Sequence, residues 1–301
     1  MTKPKYIFLN GEIIPYSEGK VHVMSPCVRY GAMVFEGIRA YWNQSKTQLY
    51  IFRLRQHLRR LTESMKLMRF DKSYDIGELE QCIIKLIQKN EFREDVHIRP
   101  EIFIDGDVGS ASSRTPVGIA ISVNPMGRFL KENGVTAMVS SWRRIDDNVM
   151  PPRIKCAANY QNSRFALIEA GMHGYDTSII LNQDGKVAEE ARACVFICRN
   201  GVPVTPPVTE GILESITRGT ILQLFGEKLG IMPVERVVDR TEMYIADEAF
   251  LCGTGAEVTP IISIDGYVIP HGPMTFAIKE IYFEIVRGKS EEYGEWRTSV
   301  Y

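Results

Sequence analysis

The 301-residue sequence predicts an α+β protein with two domains. Segments with apolar residues at helical spacing are mixed with short β-rich runs, without the regular strand–helix–strand alternation of doubly wound proteins. The stretch Pro125-Met126-Gly127 then separates two strand-rich halves. We therefore expect a small N-terminal α+β domain over 1–125, a linker over 126–136, and a larger C-terminal α/β domain over 137–301.

The elements of the first half follow from local patterns. Residues 6–15 alternate around Asn10-Gly11, a dipeptide typical of two-residue hairpin turns. Residues 49–52 have strand composition, and strand-rich segments return at 96–104 and 118–123. Between them, apolar residues at helical spacing predict two helices. These residues are Leu58, Leu61, Met65 and Met68, followed by Leu79, Ile83, Leu86 and Ile87.

The second half alternates strands and helices less regularly. Gly230 is expected to end one helix as a C-terminal cap, because glycine adopts the left-handed conformation without strain. The predicted elements are a strand at 135–141, the segment around Lys155, a helix at 161–170, a strand at 177–181, a turn at 182–185 before a short strand, a hairpin at 199–201, a helix at 217–229, a strand at 234–238, a short helix starting near 239–241, a buried strand before Gly253, and a helix around 276–286.

Composition and charge argue against several function classes. The 36 basic and 37 acidic residues give a net charge of −1 without a block of one sign, so no nucleic-acid or anionic-membrane partner is expected. No apolar stretch reaches membrane-spanning length and no signal core follows the N-terminus, which indicates a cytoplasmic protein. The six cysteines and five histidines are scattered, so neither a disulfide framework nor a metal site is expected.

Glycine-rich nucleotide motifs and the strand-to-helix serine elbow are absent. Two other places could hold a phosphate. Ile216-Thr217 begins a predicted helix, whose free N–H groups and dipole favour an anion. Gly253-Thr254-Gly255 follows a buried strand, where glycines let backbone amides approach a ligand. Arg60 could point at a phosphate or be solvated.

Lys155 lies in an apolar stretch of small residues, and two carboxylates, Glu189 and Glu190, follow on a short strand. A lysine and a carboxylate on nearby strands could form a plain ion pair. They could also be the two ends of a pyridoxal phosphate site. His97 and Arg99 share one face of a strand, where Arg99 could bind a substrate carboxylate or form an internal salt bridge.

Taken together, these runs resemble a known family. Residues 24–31 with 34–39 are similar to the N-terminal signature of fold-type IV pyridoxal phosphate enzymes, and the branched-chain amino-acid aminotransferases match best. The similarity covers nearly the whole chain. The further motifs, in the family's order, are 57–61, 98–100, 107–109, 139–142, 155–160, 211–218 and 246–260.

The resemblance implies a role for each matching residue at the cofactor. Lys155 would form the Schiff base and move the proton, and Glu189 would keep the pyridine nitrogen protonated. Tyr160 would hydrogen-bond the phenolic oxygen of the cofactor. The phosphate would be held by Arg60, the amides of Ile216 and Thr217, and Thr254.

The resemblance also implies a substrate pocket. The turn of Thr254 and Gly255 would bind the substrate α-carboxylate. Phe35 would line an apolar pocket together with Tyr30 and Val108 from a second subunit. Arg99, beside His97, would meet the distal carboxylate of glutamate.

The implied function is transamination of leucine, isoleucine and valine with 2-oxoglutarate, by a ping-pong mechanism through Lys155, in a homodimer or a dimer-based hexamer. Two departures from the family pattern bear on the substrate range. His97 replaces a tyrosine, and residues 190–194 read Glu-Ala-Arg-Ala-Cys instead of Gly-Ala-Gly-Glu-Asn. The alternatives are a D-amino-acid aminotransferase, an aminodeoxychorismate lyase, an aminotransferase of a specialised pathway, or a cofactor-binding protein without catalysis.

Overall fold

The computed structural model describes residues 3–106, 109 and 115–301. Seven α-helices form within these residues: α1 (Pro26–Tyr30), α2 (Leu54–Leu67), α3 (Ile76–Asn90), α4 (Tyr160–Met172), α5 (Ile216–Leu229), α6 (Arg240–Tyr244) and α7 (Pro273–Val286). Three short 3₁₀ helices lie at Tyr16–Glu18, Val208–Glu210 and Gly294–Trp296.

Seventeen strands form in the same described residues. They are β1 (Tyr6–Leu9), β2 (Glu12–Pro15), β3 (Met33–Phe35), β4 (Ile38–Asn43), β5 (Gln48–Phe52), β6 (Val96–Ile104), β7 (Val117–Pro125), β8 (Val135–Arg143), β9 (Thr177–Leu181), β10 (Val187–Glu190), β11 (Cys194–Arg199), β12 (Val202–Thr205), β13 (Val234–Glu235), β14 (Glu248–Gly253), β15 (Glu257–Ile264), β16 (Tyr267–Val268) and β17 (Arg297–Ser299).

The chain divides into two compact units, and each combines helices with a sheet, which confirms the predicted α+β class. Unit 1 comprises Met1–Gly127, Ile154–Ala158 and Ile285–Tyr301. Unit 2 comprises Arg128–Arg153 and Asn159–Glu284. The domain and linker limits expected from the sequence stay a prediction.

Unit 1 contains an eight-stranded sheet in the order β17-β5-β4-β6-β7-β1-β2, with β3 also paired to β6. The β1–β2 hairpin is confirmed. Its turn residues Asn10 and Gly11 have φ values of 49° and 106°, as a primed two-residue turn requires. Helices α2 and α3 are also confirmed, with Leu58, Leu61 and Ile83 buried in the core of this unit.

Unit 2 contains a nine-stranded sheet in the order β10-β9-β8-β15-β14-β11-β12-β13, with β16 paired to β15. Helix α5 begins after Ser215, whose side chain accepts from the Arg218 N–H, and ends at the left-handed Gly230, as predicted. The strand predicted at 234–238 is too long. It ends at Glu235 because its partner β12 ends at Thr205, just before two prolines that lack a donor.

No helix in the described part of the chain combines the length and apolar character needed to cross a membrane. Within the same residues, no group of three or more His, Cys, Asp and Glu side chains is placed to hold a metal ion.

Candidate active site

Lys155, in unit 1, is held by its backbone on both sides. Its N–H donates to Ser64 Oγ at 3.2 Å, and its carbonyl accepts from the Phe35 N–H at 3.0 Å. The next residue, Cys156, forms an isolated bridge with Val34 of β3. The lysine is only 9% exposed, and its Nζ lies 4.9 Å from the centre of the Phe35 ring. Since lysine side chains are mostly exposed, this burial sets Lys155 apart.

Arg60 is oriented by a buried carboxylate in the same unit. Its Nε donates to Glu36 Oε1 at 2.7 Å and its Nη2 to Oε2 at 2.8 Å, so the two groups form a two-point fork. His57 Nδ1 lies 2.8 Å from Glu36 Oε2. The Glu36 side chain is 0% exposed and that of Arg60 is 11% exposed. The enclosed carboxylate therefore fixes the direction of the guanidinium.

Electrostatics define the charge states of this cluster. Burial would raise the pKa of Glu36, but the charge of Arg60 and the hydrogen bonds from His57 and Arg60 outweigh it and hold that pKa well below its usual range. Burial lowers the pKa of His57. Neutral His57 therefore donates to an ionised Glu36. Glu36 and His57 were missed in the sequence, although His57 and Arg60 are three residues apart on one face of α2.

The predicted substrate residues His97 and Arg99 lie on β6 of unit 1. The Arg99 Nε contacts Glu101 Oε1 at 2.6 Å, and its guanidinium lies 4.0 Å from the centre of the Phe35 ring. The internal salt bridge is therefore present, and substrate binding by Arg99 stays a prediction. Burial, followed by the charges of Arg99 and Arg39, lowers the pKa of His97 to about 4, so His97 is neutral at neutral pH.

The predicted pocket also includes Tyr30 and Val108. Tyr30 ends α1 with its side chain exposed, and the guanidinium of Arg29 lies 5.0 Å from its ring centre. Val108 lies outside the described residues.

Glu189, in unit 2, is a buried carboxylate with two defined partners. Its Oε1 accepts from Arg144 Nη2 at 2.7 Å and its Oε2 from the Leu213 N–H at 3.2 Å. Arg144 is itself held, because its Nε donates to the Gly211 carbonyl at 3.1 Å. Gly211 has a φ of 79°, and a Cβ there would lie 3.1 Å from the Ile145 carbonyl, so a larger residue would disturb this contact. Arg144 carries no sequence signal that reveals this role.

The neighbouring Glu190 has different partners. It accepts hydrogen bonds from the Thr177 hydroxyl and, at 2.7 Å, from the Arg192 N–H. Successive residues of a strand point to opposite faces, which separates Glu190 from the partners of Glu189. Burial raises the pKa of Glu190 despite the hydrogen bond from Thr177. Glu190, which departs from the family pattern, therefore stabilises the turn after β10 through its hydrogen bond with the Arg192 N–H.

The remaining predicted residues of unit 2 lie at the ends of elements. Tyr160 is the first residue of α4, and Ile216 and Thr217 are the first two of α5, where backbone N–H groups have no partner within the helix. Thr254 and Gly255 follow β14 in a turn and are partly exposed. A Cβ placed at Gly255 would meet open space. The dipole at the start of α5 and the open turn at Thr254 and Gly255 both favour the binding of an anion.

Comparisons with known proteins agree with this chemistry. Residues 33–264 match the family model of class IV amino-transferases. The branched-chain-amino-acid aminotransferase of Escherichia coli K12 is 39% identical, over 99% of this chain and 98% of its own. The structure of a branched-chain amino acid aminotransferase from Thermobaculum terrenum in its PLP form has a TM-score of 0.94 and 45% identity, covering 100% of both chains.

A third protein was solved with an amino acid. It is the branched-chain aminotransferase from the thermophilic archaeon Thermoproteus uzoniensis with norvaline, with a TM-score of 0.96 and 45% identity over 99% of this chain and 100% of its own. The predicted fold-type IV architecture is confirmed by these structures. This chain belongs to the class IV aminotransferase family.

Proposed function

We propose that this chain is a pyridoxal 5'-phosphate-dependent transaminase that moves the amino group of leucine, isoleucine and valine to 2-oxoglutarate. The observation that carries the proposal is Lys155, buried and fixed through both backbone groups beside the Phe35 ring. The names of the relatives supply the substrate class. When bound, pyridoxal phosphate supplies an electron sink for the electrons of the substrate Cα–H bond.

Lys155 is the catalytic residue of the proposed reaction. Its Nζ would hold the cofactor in the resting enzyme, and the amine set free when the amino acid takes its place would accept the proton from the substrate Cα. In the second half-reaction the same nitrogen returns a proton to the Cα of the incoming 2-oxo acid. The result is a ping-pong exchange between two amino-acid and 2-oxo-acid pairs.

Glu189 holds the proton on the pyridine nitrogen. A carboxylate paired with Arg144 and an amide stays in one orientation, and its negative charge favours a protonated ring nitrogen. Tyr160 donates to the phenolic oxygen. Within unit 2, Glu189 and Tyr160 would therefore be the two residues that hold the ring.

The phosphate is bound by charge and by backbone amides. Arg60, oriented by Glu36, supplies the cation, and the amides of Ile216 and Thr217 supply neutral donors at a helix N-terminus. Thr254 adds a hydroxyl.

The substrate contacts separate the two ends of the amino acid. The turn of Thr254 and Gly255 binds the α-carboxylate, Phe35 packs against an apolar side chain, and Arg99 beside His97 meets an acidic one. Tyr30 and Val108 complete the pocket of a second copy. We therefore propose that the protein is a homodimer, or a hexamer built from dimers. We also propose that it is located in the cytoplasm.

Activity of the purified holoenzyme tests the proposal. The wild-type protein should form glutamate from leucine and 2-oxoglutarate and show the yellow absorbance of bound cofactor. Lys155→Ala should lose both, because alanine has no amine that can bind the cofactor or move the proton. Lys186→Ala is the matched control, since that lysine lies on the surface in an ion pair with Asp239. Full turnover by Lys155→Ala would refute the proposal, as would a preference for D-amino acids or pyruvate release from aminodeoxychorismate without an acceptor.

A further inference from the structure

One face of β6 carries a charged pair close to Lys155. His97, Arg99 and Glu101 alternate along this strand, so their side chains lie on the same face. The Arg99 guanidinium and the Lys155 Nζ lie 4.0 Å and 4.9 Å from the centre of the same Phe35 ring. Whatever binds Arg99 is therefore close to the amine that the proposed reaction uses.

The geometry of the Arg99–Glu101 contact allows another carboxylate to take the place of Glu101. It is made through one guanidinium nitrogen, Nε, at 2.6 Å, unlike the two-point fork between Arg60 and Glu36. The side chains of Arg99 and Glu101 are 36% and 26% exposed. Such partly solvated ion pairs contribute little stability, so another carboxylate can displace the internal one.

We propose that Glu101 is a built-in competitor that occupies Arg99 and so lowers the affinity for acidic substrates relative to apolar ones. This inference rests on the proposed function. The apolar side chain of a substrate such as leucine contacts the Phe35 ring beside an ion pair without net charge. Glu101 can then stay bound to Arg99. A glutamate or 2-oxoglutarate side chain has to displace Glu101 from Arg99 or bind beside its negative charge.

The residues that face the pair across the neighbouring strands β7 and β3 carry no charge, and Glu101 lies opposite Phe35 of β3. Arg99 and Glu101 lie opposite Ser122 and Ala120 of β7. His97 is neutral at neutral pH. It therefore does not compete with Arg99 as a second cation for the Glu101 carboxylate. The charge of Glu101 therefore sets how available Arg99 is to a substrate carboxylate.

The test is a single-turnover half-reaction of the holoenzyme, followed by the absorbance of the bound cofactor. Apparent dissociation constants are measured for glutamate and for leucine in wild type and Glu101→Gln. We expect the constant for glutamate to fall about three- to tenfold, while that for leucine changes less than about twofold. Glu291→Gln is the matched control, because it breaks an exposed ion pair with Lys46 in the same unit.

A double variant shows whether Glu101 acts through Arg99. Arg99→Gln should weaken glutamate binding, and adding Glu101→Gln to it should bring no further gain. An unchanged ratio of the glutamate and leucine constants in Glu101→Gln would overturn the inference while leaving the proposed function intact. A wild-type holoenzyme that reacts with neither amino acid would overturn both.

Discussion

Each unit contains a buried arginine–glutamate pair, and the two pairs are held in opposite ways. In unit 1, both oxygens of Glu36 bind Arg60, and His57 makes a further contact with the carboxylate. In unit 2, one oxygen of Glu189 binds Arg144 and the other accepts a hydrogen bond from the Leu213 N–H. Arg144 is in addition tied to a backbone carbonyl, at Gly211.

The difference shows how one type of ion pair can serve two chemistries. The extra contact in unit 1 fixes the acid, which leaves the arginine as the member offered to an anion. In unit 2 the arginine is fixed by the backbone, and the carboxylate is offered to a cation. The proposed function uses Arg60 for the phosphate and Glu189 for the ring nitrogen, with Glu36 and Arg144 as positioning residues.

Removing Arg144 should have the largest effect on the fold. Arg144→Met leaves the Glu189 carboxylate buried without its cation, which should lower the free energy of unfolding by about 3–5 kcal/mol. Urea denaturation of the purified protein measures this. The exposed pair between Arg153 and Glu214 provides the control, and Arg153→Met should change stability by less than about 1 kcal/mol. Equal losses for both variants would show that the unit 2 pair has no special role.

Neutralising Glu189 should affect turnover rather than cofactor content. Glu189→Gln keeps the shape but loses the charge that favours a protonated ring nitrogen, so kcat should fall by about 10²–10³-fold, the size seen when one preorganised electrostatic partner is removed. Leucine turnover and cofactor absorbance are measured together. Glu190→Gln should retain most turnover, because Glu190 binds Thr177 and the following turn. Unchanged rates in Glu189→Gln would exclude the assigned role.

His97 should give a smaller, pH-dependent effect on stability. Its pKa is lowered from 6.5 to about 4 in the folded protein, so the unfolded chain binds more protons between these pH values. Stability should therefore fall as the pH is lowered from 6.5 to 4. His97→Gln should lose less over that window, by on the order of 2 kcal/mol. Parallel pH profiles of unfolding free energy for the two proteins would contradict this.

The elements with strong local signals could be predicted from the sequence. Asn10-Gly11 specified a hairpin, apolar spacing specified α2 and α3, and Gly230 ended α5. The strands β3 and β4 were not predicted, because their pairing with β6 joins residues far apart in the chain. The place of Cys156 beside Val34 likewise depends on a long-range bridge.

The residues of the candidate site also divide into those with a sequence signal and those brought together only by folding. Lys155, Arg60 and Glu189 were found because they stand in motifs that resemble a known family. Their supports were not found, since Arg144 and Glu36 are ion-pair partners brought near only by folding. Glu101 was missed for another reason. Its spacing of two from Arg99 predicts a shared face, but a glutamate on a half-exposed strand is usually only solvated.

The most direct test of the opposite roles is the ratio of the affinities for pyridoxal phosphate and for pyridoxal, which lacks the phosphate. Both ligands are titrated into cofactor-free wild type, Glu36→Gln and Arg144→Met. If Glu36 positions Arg60 for the phosphate, Glu36→Gln should weaken pyridoxal phosphate binding by about tenfold and leave pyridoxal binding within about twofold. Arg144→Met should weaken both ligands alike. A Glu36→Gln variant that weakens both equally, or an Arg144→Met variant selective for the phosphate, would contradict the account.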